Sequence, residues 1–366
     1  MKSIVKEIIL AKISHKYNLS MPILIKSNAL TFDDVLLVPS YSTITTRQQV
    51  DLTTTLLGTK FSTPICSANM DTVTEVAMAN AMFDLGGIGF LHRYASHESI
   101  LKWIKEIHSN KRVVIPSIGV KQDDFGYAMA YANEGVLGIN VDVAHGDSAH
   151  TIDMVKRLAK EGLNVIAGNI ATRDGAIRLV QAGAKAIKVG IGPGSLCTTR
   201  IVTGHGIPQL TAIENCASIK TNCDVTIIAD GGIRNSGDCV KALAFGADMV
   251  MVGSLLAGTN ETPGTPVNLQ NEKGLYYWAK EYRGMASREA RESVTKTDSS
   301  YTPEGEATYV EIKGSARSVI QQLIGGLRSG FSYSGARDLA HLHEYAAYVT
   351  ITNNGMAESK PHLITR

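Results

Sequence analysis

The chain has 366 residues, 44% of them apolar and 19% charged, with 36 basic against 34 acidic side chains for a net charge of +2. That near-balance gives no strong global field to attract nucleic acid or an anionic membrane, while the apolar content can fill a large core. A small-molecule partner is expected, with no nucleic acid and no membrane.

The first 28 residues read as an N-terminal extension of unknown role. Met1 to Leu10 is mildly apolar but interrupted by Lys6 and Glu7, and no small-residue cleavage site marks a secretory signal. No apolar run in the chain reaches the roughly 18 residues that span a bilayer. The five cysteines stand at 66, 197, 216, 223 and 239 without a Cys-x-x-Cys pair, which points to reduced thiols in a cytoplasmic protein, not to zinc or disulfides.

From about residue 61 one pattern repeats: a short apolar run, a Gly- or Asp-rich turn, then a helix-period stretch closed by glycine. Strands are predicted at Arg112 to Ile115, Leu137 to Val141, Asn164 to Ala167, Ala186 to Val189, Val225 to Ala229 and Met249 to Val252. Runs apolar on both faces suit a covered parallel sheet. Helices are predicted at Ser99 to His108, Thr151 to Glu161, Gly175 to Ala182 and Gly237 to Phe245, with Gly162, Gly183 and Gly246 as left-handed caps for the last three. Alternating β and α over this length, without a Gly-x-Gly-x-x-Gly fingerprint, favours a (β/α)8 TIM barrel over an open doubly wound sheet. Residues 259 to 314 are polar with few element signals and read as a long loop, and Ala316 to Leu327 as a final barrel helix.

The chemically rich segments follow predicted strands, at the ends where a barrel gathers its chemistry. Cys197 sits in a turn of glycines and proline, followed by Thr198, Thr199 and Arg200. Arg200 can favour a thiolate by charge, and Thr199 can move a proton if paired with a carboxylate. The alternative is a buried cysteine capping a tight turn. Asp230-Gly231-Gly232 and Gly253-Ser254 end successive strands, where backbone amides suit a phosphate and an acid can accept ribose hydroxyls; each alone is also an ordinary turn. Asp142 and His145 read as a hydrogen-bonded wall of the site more readily than as a metal pair. Asn69 and Asp71 either touch a ligand or pin a loop, and Glu304 by itself is an exposed turn residue.

Leu30 to Leu37, Asn69 to Val73, Gly190 to Arg200, Asp230 to Gly232 and Tyr282-Arg283-Gly284-Met285 together resemble the IMP dehydrogenase and GMP reductase family, and the likeness runs from about residue 28 to the C-terminus. The resemblance implies one catalytic domain over 29–366, on a barrel that is usually a homotetramer. It also implies that Cys197 attacks C2 of a purine nucleotide, GMP or IMP, to form a covalent thioimidate. By the same resemblance Ser195, Gly232, Gly253, Ser254 and Tyr282 hold the phosphate and Asp230 the ribose. Gly231, Gly284, Met285 and Gly305 complete the nucleotide side. Asp142, Val143 and Ala144, with Ile191 and Gly192, lie beside the nicotinamide of NADPH or NADP. Gly192, Gly194, Cys197 and Arg200 surround a monovalent cation, potassium, through backbone carbonyls.

Two features point within the family. The run His92-Arg93-Tyr94 passes through a single helix into Val113 to Gly119, leaving no room for the pair of regulatory (CBS) domains that dehydrogenases usually insert. The mobile active-site flap, about 286–314, lacks the Arg-Tyr pair with which a dehydrogenase activates water, and its Glu304-Gly305 is similar to reductases. The expectation is therefore a GMP reductase with Cys197, Thr199 and Glu304 as catalytic residues. The alternatives are an IMP dehydrogenase with a shortened flap and a non-catalytic nucleotide sensor.

Overall fold

Eight short apolar runs pair side by side and close on themselves. In the computed structural model, which describes residues 28–292 and 302–361, these strands are β1 (Ile65–Ser67), β2 (Ile88–Leu91), β3 (Val114–Ile118), β4 (Ile139–Asp142), β5 (Val165–Ile170), β6 (Ala186–Val189), β7 (Thr226–Asp230) and β8 (Met249–Val252). Each pairs in parallel with the next, and β8 pairs with β1, giving the closed barrel. This is the (β/α)8 architecture that the alternating pattern predicts. β6 and β8 fall at the predicted residues. The other four predicted strands begin one or two residues later, because their leading residues belong to the loops that enter the barrel.

The outer ring comprises α1 (Val76–Asp84), α2 (His97–Ser109), α3 (Asp124–Asn133), α4 (Ala149–Lys160), α5 (Arg173–Gln181), α6 (Gln209–Ala217), α7 (Ser236–Ala244) and α8 (Ala316–Tyr333). Several start on side-chain caps: Ser148 accepts from the Thr151 N–H, Thr172 from that of Gly175, and Asn235 from that of Asp238. Such a cap contributes about 1 kcal/mol. The predicted glycine stops are left-handed, with φ of 78° at Gly162, 110° at Gly183 and 106° at Gly246.

Two apolar layers result. Inside the barrel, Cys66, Phe90, Ile115, Ile166, Ile228 and Met249 pack together, and Leu56 and Phe61 of the hairpin Thr54–Leu56/Thr59–Phe61 join them. The larger layer lies between strands and helices and includes Ile104, Ile139, Val155, Leu179, Ile213 and Leu243. Full burial of each such large side chain contributes roughly 1.5–3 kcal/mol. Val35–Leu37 pairs antiparallel with Tyr348–Thr350 and ties the two ends of the described chain together.

Residues 259–314 correct the expectation of a structureless loop. β9 (Val267–Gln270), β10 (Tyr276–Arg283) and β11 (Ala307–Glu311) form a three-stranded antiparallel sheet standing off the barrel between β8 and α8. The segment expected as the flap therefore ends in an ordered strand, and residues 293–301 within it lie outside the described residues, as does nearly all of the N-terminal extension. Between β2 and β3 the chain forms only α2 and its turns.

Candidate functional site

The strand ends open onto one cavity of about 570 Å³, within the range of small-ligand sites. The loop from Gly190 to Arg200 forms one wall. Gly190 has φ of 150°, and a Cβ there would come within 2.0 Å of the Asp230 carbonyl, so the chain can leave β6 against β7 only at glycine. Gln209 fastens the two strand ends by donating through Nε2 to the carbonyls of Val189 at 2.8 Å and Asp230 at 3.1 Å. Arg200 lies back over the loop and donates to the carbonyls of Ile191 at 3.2 Å and Ile207 at 2.7 Å.

Cys197 faces the cavity ahead of the short helix Thr199–Thr203. Its thiol donates to the Thr199 hydroxyl at 3.2 Å. The segment carrying Glu304 docks on this loop through backbone: Thr198 N–H donates to the Glu304 carbonyl at 3.0 Å, Glu306 N–H to the Leu196 carbonyl at 2.9 Å, and Cys197 forms an antiparallel bridge with Gly305. The packing at Gly305 is tight, since a Cβ there would lie 3.1 Å from the Ser287 nitrogen. Glu304, Cys197 and Thr199 thus line one side of the cavity although over 100 residues separate Glu304 from the other two.

A second region collects backbone amides and hydroxyls. Gly231 and Gly232 have φ of 97° and 79° after β7, and Ser195 and the Tyr282 hydroxyl lie 3.2 Å apart. Burial keeps the Tyr282 phenol above its ordinary value, so it stays a neutral donor. A Cβ at Gly253 would meet Met70 Sδ at 3.1 Å and the Tyr282 hydroxyl at 3.3 Å. The loop after β1 is anchored to the end of β10, where Arg283 pairs with the buried Asp71. The Asp71 N–H donates to Met285 Sδ at 3.3 Å, bringing Met285 to the cavity.

Across the cavity, Asp142 ends β4 and Val143 and Ala144 follow it. Asp142 is engaged by Lys188 at 2.9 Å, and Arg93 Nε donates to the Asp142 carbonyl at 3.1 Å. The sequence reading missed Lys188, which lines the cavity. A lysine inside the apolar run Ala186–Val189 was the available signal.

Every residue that the family resemblance assigns to the site lines this cavity except Arg200, which lines a smaller neighbouring one. Asn69 reaches the cavity, whereas Asp71 pins the loop through Arg283. His145 is exposed and absent from the cavity lining, which corrects the expectation that it forms a wall with Asp142. Glu304 is half-buried where an exposed turn residue was read, because β11 carries it back to the cysteine loop. Among the described residues no cluster of His, Cys, Asp or Glu could hold a metal ion, and no helix is long and apolar enough to cross a membrane. All five cysteines are free.

Residues 29–362 match the family model described as the IMP dehydrogenase / GMP reductase domain. The chain is 39% identical over 386 residues to inosine-5'-monophosphate dehydrogenase of Cryptosporidium parvum, covering 91% of this chain and 94% of that protein. It is 34% identical over 470 residues to the enzyme of the same name from Nitrosopumilus maritimus, covering 91% and 98%. Among solved structures it is similar to a GMP reductase variant of Trypanosoma brucei in complex with guanosine 5'-monophosphate, with a TM-score of 0.85, 30% identity, and coverage of 95% of this chain and 99% of that one. The chain belongs to the IMP dehydrogenase / GMP reductase family.

Proposed function

We propose that the chain is a GMP reductase, converting GMP and NADPH to IMP, ammonia and NADP. Its family comprises oxidoreductases that bind purine nucleotides and use a nicotinamide cofactor. The observation that carries the reading is the backbone docking of the Glu304 segment on Leu196, Cys197 and Thr198, beside a Cys197 thiol that donates to the Thr199 hydroxyl. Among the described residues, Arg93 is the only arginine lining the cavity, and it is engaged with Asp142 on the opposite side. The thiol thus has a hydroxyl within hydrogen-bond reach and a glutamate in the same cavity wall, groups suited to moving a proton, and among the described residues no arginine on this side lines the cavity.

In this reading the nucleotide phosphate sits among Ser195, Gly232, Gly253, Ser254 and the Tyr282 hydroxyl, and Asp230 accepts the ribose hydroxyls. Gly231, Gly284, Met285 and Gly305 border the base. The Cys197 thiolate attacks C2 of the purine, forming the C–S bond. Glu304, through Thr199, delivers the proton with which the 2-amino group leaves as ammonia, and the product is a thioimidate. The nicotinamide, held along Asp142, Val143 and Ala144 with Ile191 and Gly192, supplies the hydride that C2 receives. The C–S bond then breaks, Cys197 regains its thiolate, and IMP is released. The neighbouring part of the cavity is lined by Arg93, Tyr94 and Lys121 beside Asp142, Val143 and Ala144, polar groups that suit a ring bearing a carboxamide. For a cation, the loop offers the carbonyls of Gly192, Gly194, Cys197 and Arg200 and no carboxylate, a donor set that suits a monovalent ion such as potassium better than a divalent one. Its place is bracing the loop.

The second reading, IMP dehydrogenase, is favoured by the names of the relatives, one of which aligns over 94% of its own length. The two separate in solution. Oxidation of NADPH or NADH with GMP supports the reductase, and sustained reduction of NAD with IMP contradicts it. Cys197→Ser distinguishes an enzyme from a nucleotide sensor: turnover is abolished and nucleotide binding persists, whereas a sensor shows binding without turnover in the wild type.

A further inference from the structure

The cavity floor carries a charge arrangement that the chemistry at Cys197 does not use. Lys188 points from β6 into the barrel and is 1% exposed. Its ammonium donates to Asn69 Oδ1 at 2.8 Å and Asp142 Oδ1 at 2.9 Å, and lies 3.5 Å from Asp230 Oδ2. These partners stand at the ends of β1, β4 and β7, so one side chain reaches three other parts of the barrel rim. Its stem is confined, since a Cβ at Gly168 of β5 would lie 2.6 Å from Lys188 Cβ.

The two carboxylates stand at the ends of different strands, β4 and β7, and both line the cavity. Asp230 is held from its own side by Asn169 Nδ2 at 2.8 Å, and Asp142 is approached by Arg93 Nε at 3.8 Å. Below them Cys66 is fully buried, and burial raises its thiol so that it adds no charge. Burial pushes Asp142 upward, but Lys188 and Arg93 more than reverse this and leave the carboxyl below its ordinary range. Burial acts to lower Lys188 as well, and Asp142 and Asp230 together overcome it.

We propose that Lys188 is the shared positioning charge of the two half-sites: one ammonium holds Asp142 toward the cofactor side and Asp230 toward the nucleotide side, so a change at either carboxylate is felt at the other. This rests on the assignment of those sides under the proposed function. An ammonium has three donors; Asn69 and Asp142 take two, and the longer contact to Asp230 leaves that carboxylate free to accept ribose hydroxyls. With Asp142 uncharged, the ammonium closes on Asp230 and occupies a lone pair that the ribose would use.

Calorimetric titration of Asp142→Asn with GMP and with IMP, without cofactor, tests this. The nucleotide dissociation constants are expected to rise by about threefold or more relative to wild type, although Asp142 stands on the other half of the cavity. Lys188→Met is expected to raise both the nucleotide dissociation constant and the cofactor KM by about tenfold or more, with Lys188→Arg recovering most of both. Should Lys188→Met fail to fold, the Asp142→Asn titration decides alone. Unchanged nucleotide binding in Asp142→Asn overturns the proposal, as does a folded Lys188→Met that alters only one of the two ligands. Because binding is read with both nucleotides and no turnover, an error in the direction of the chemistry leaves this test intact. A wild type that binds neither nucleotide overturns both readings together.

Discussion

At the scale of single residues, the site is a convergence of side chains from distant parts of the chain on one thiol. Cys197 was legible because glycine, proline, threonine and arginine surround it locally. Glu304 was not legible from its neighbourhood, since an acid in a polar turn carries no signal until β11 brings it against the cysteine loop. Lys188 escaped for a related reason: its partners Asn69 and Asp142 lie 119 and 46 residues away. Replacing the Glu304 carboxyl with an amide, which cannot exchange that proton, tests its role. Glu304→Gln is expected to lower kcat by about 10²–10⁴-fold while nucleotide affinity stays within about threefold of wild type, as read by steady-state rates beside calorimetric titration. Equal losses in rate and affinity would assign Glu304 to binding.

At the scale of elements, the barrel strands and their helices were readable and the sheet beyond them was not. Strands covered on both faces show as unbroken apolar runs, and glycine caps mark the helix ends. β9 to β11 instead mix polar residues with exposed Tyr276, Trp278 and Tyr309. A sheet standing off the core has no uniformly apolar face to set a period of two. Besides the backbone bonds at Cys197, this sheet is tied to the site by the pairing of Arg283 with Asp71, which are 19% and 7% exposed. Arg283→Met leaves the Asp71 carboxylate buried without its partner and is expected to destabilise the protein by roughly 3 kcal/mol in chemical denaturation. Within the cysteine loop, Gly190→Ala drives a methyl group onto the Asp230 carbonyl. Turnover is expected to fall at least about tenfold while far-ultraviolet circular dichroism keeps the barrel signature, since one displaced loop leaves the strands paired.

At the scale of the whole molecule, the folded state is expected to weaken in two stages as pH falls. His343 is held below its ordinary value of 6.5 by burial and by the charge of Lys220, while its ring lies 3.0 Å from the Ala247 carbonyl. The unfolded chain therefore takes up a proton at this site more readily than the folded one. The stability it contributes is complete above pH 6.5 and is lost as pH falls through the lower folded value. Asp33 and Asp84, lowered by hydrogen bonds from Arg234 and Arg112 respectively, add a second loss in acid below the ordinary aspartate value of 3.8. Thermal melts across pH should show both stages, and His343→Gln should flatten the upper one alone; an unchanged upper stage would remove His343 as its source.

The architecture serves a single chemical claim, that a thiol, a hydroxyl and a carboxyl at one end of the barrel release ammonia from a purine nucleotide. The most direct measurement is absorbance of the reduced cofactor, with the purified protein given GMP and NADPH in one cuvette and IMP and NAD in another. A GMP reductase consumes NADPH with stoichiometric ammonia and IMP in the first and gives no sustained change in the second. Continuous formation of NADH in the second would contradict that assignment.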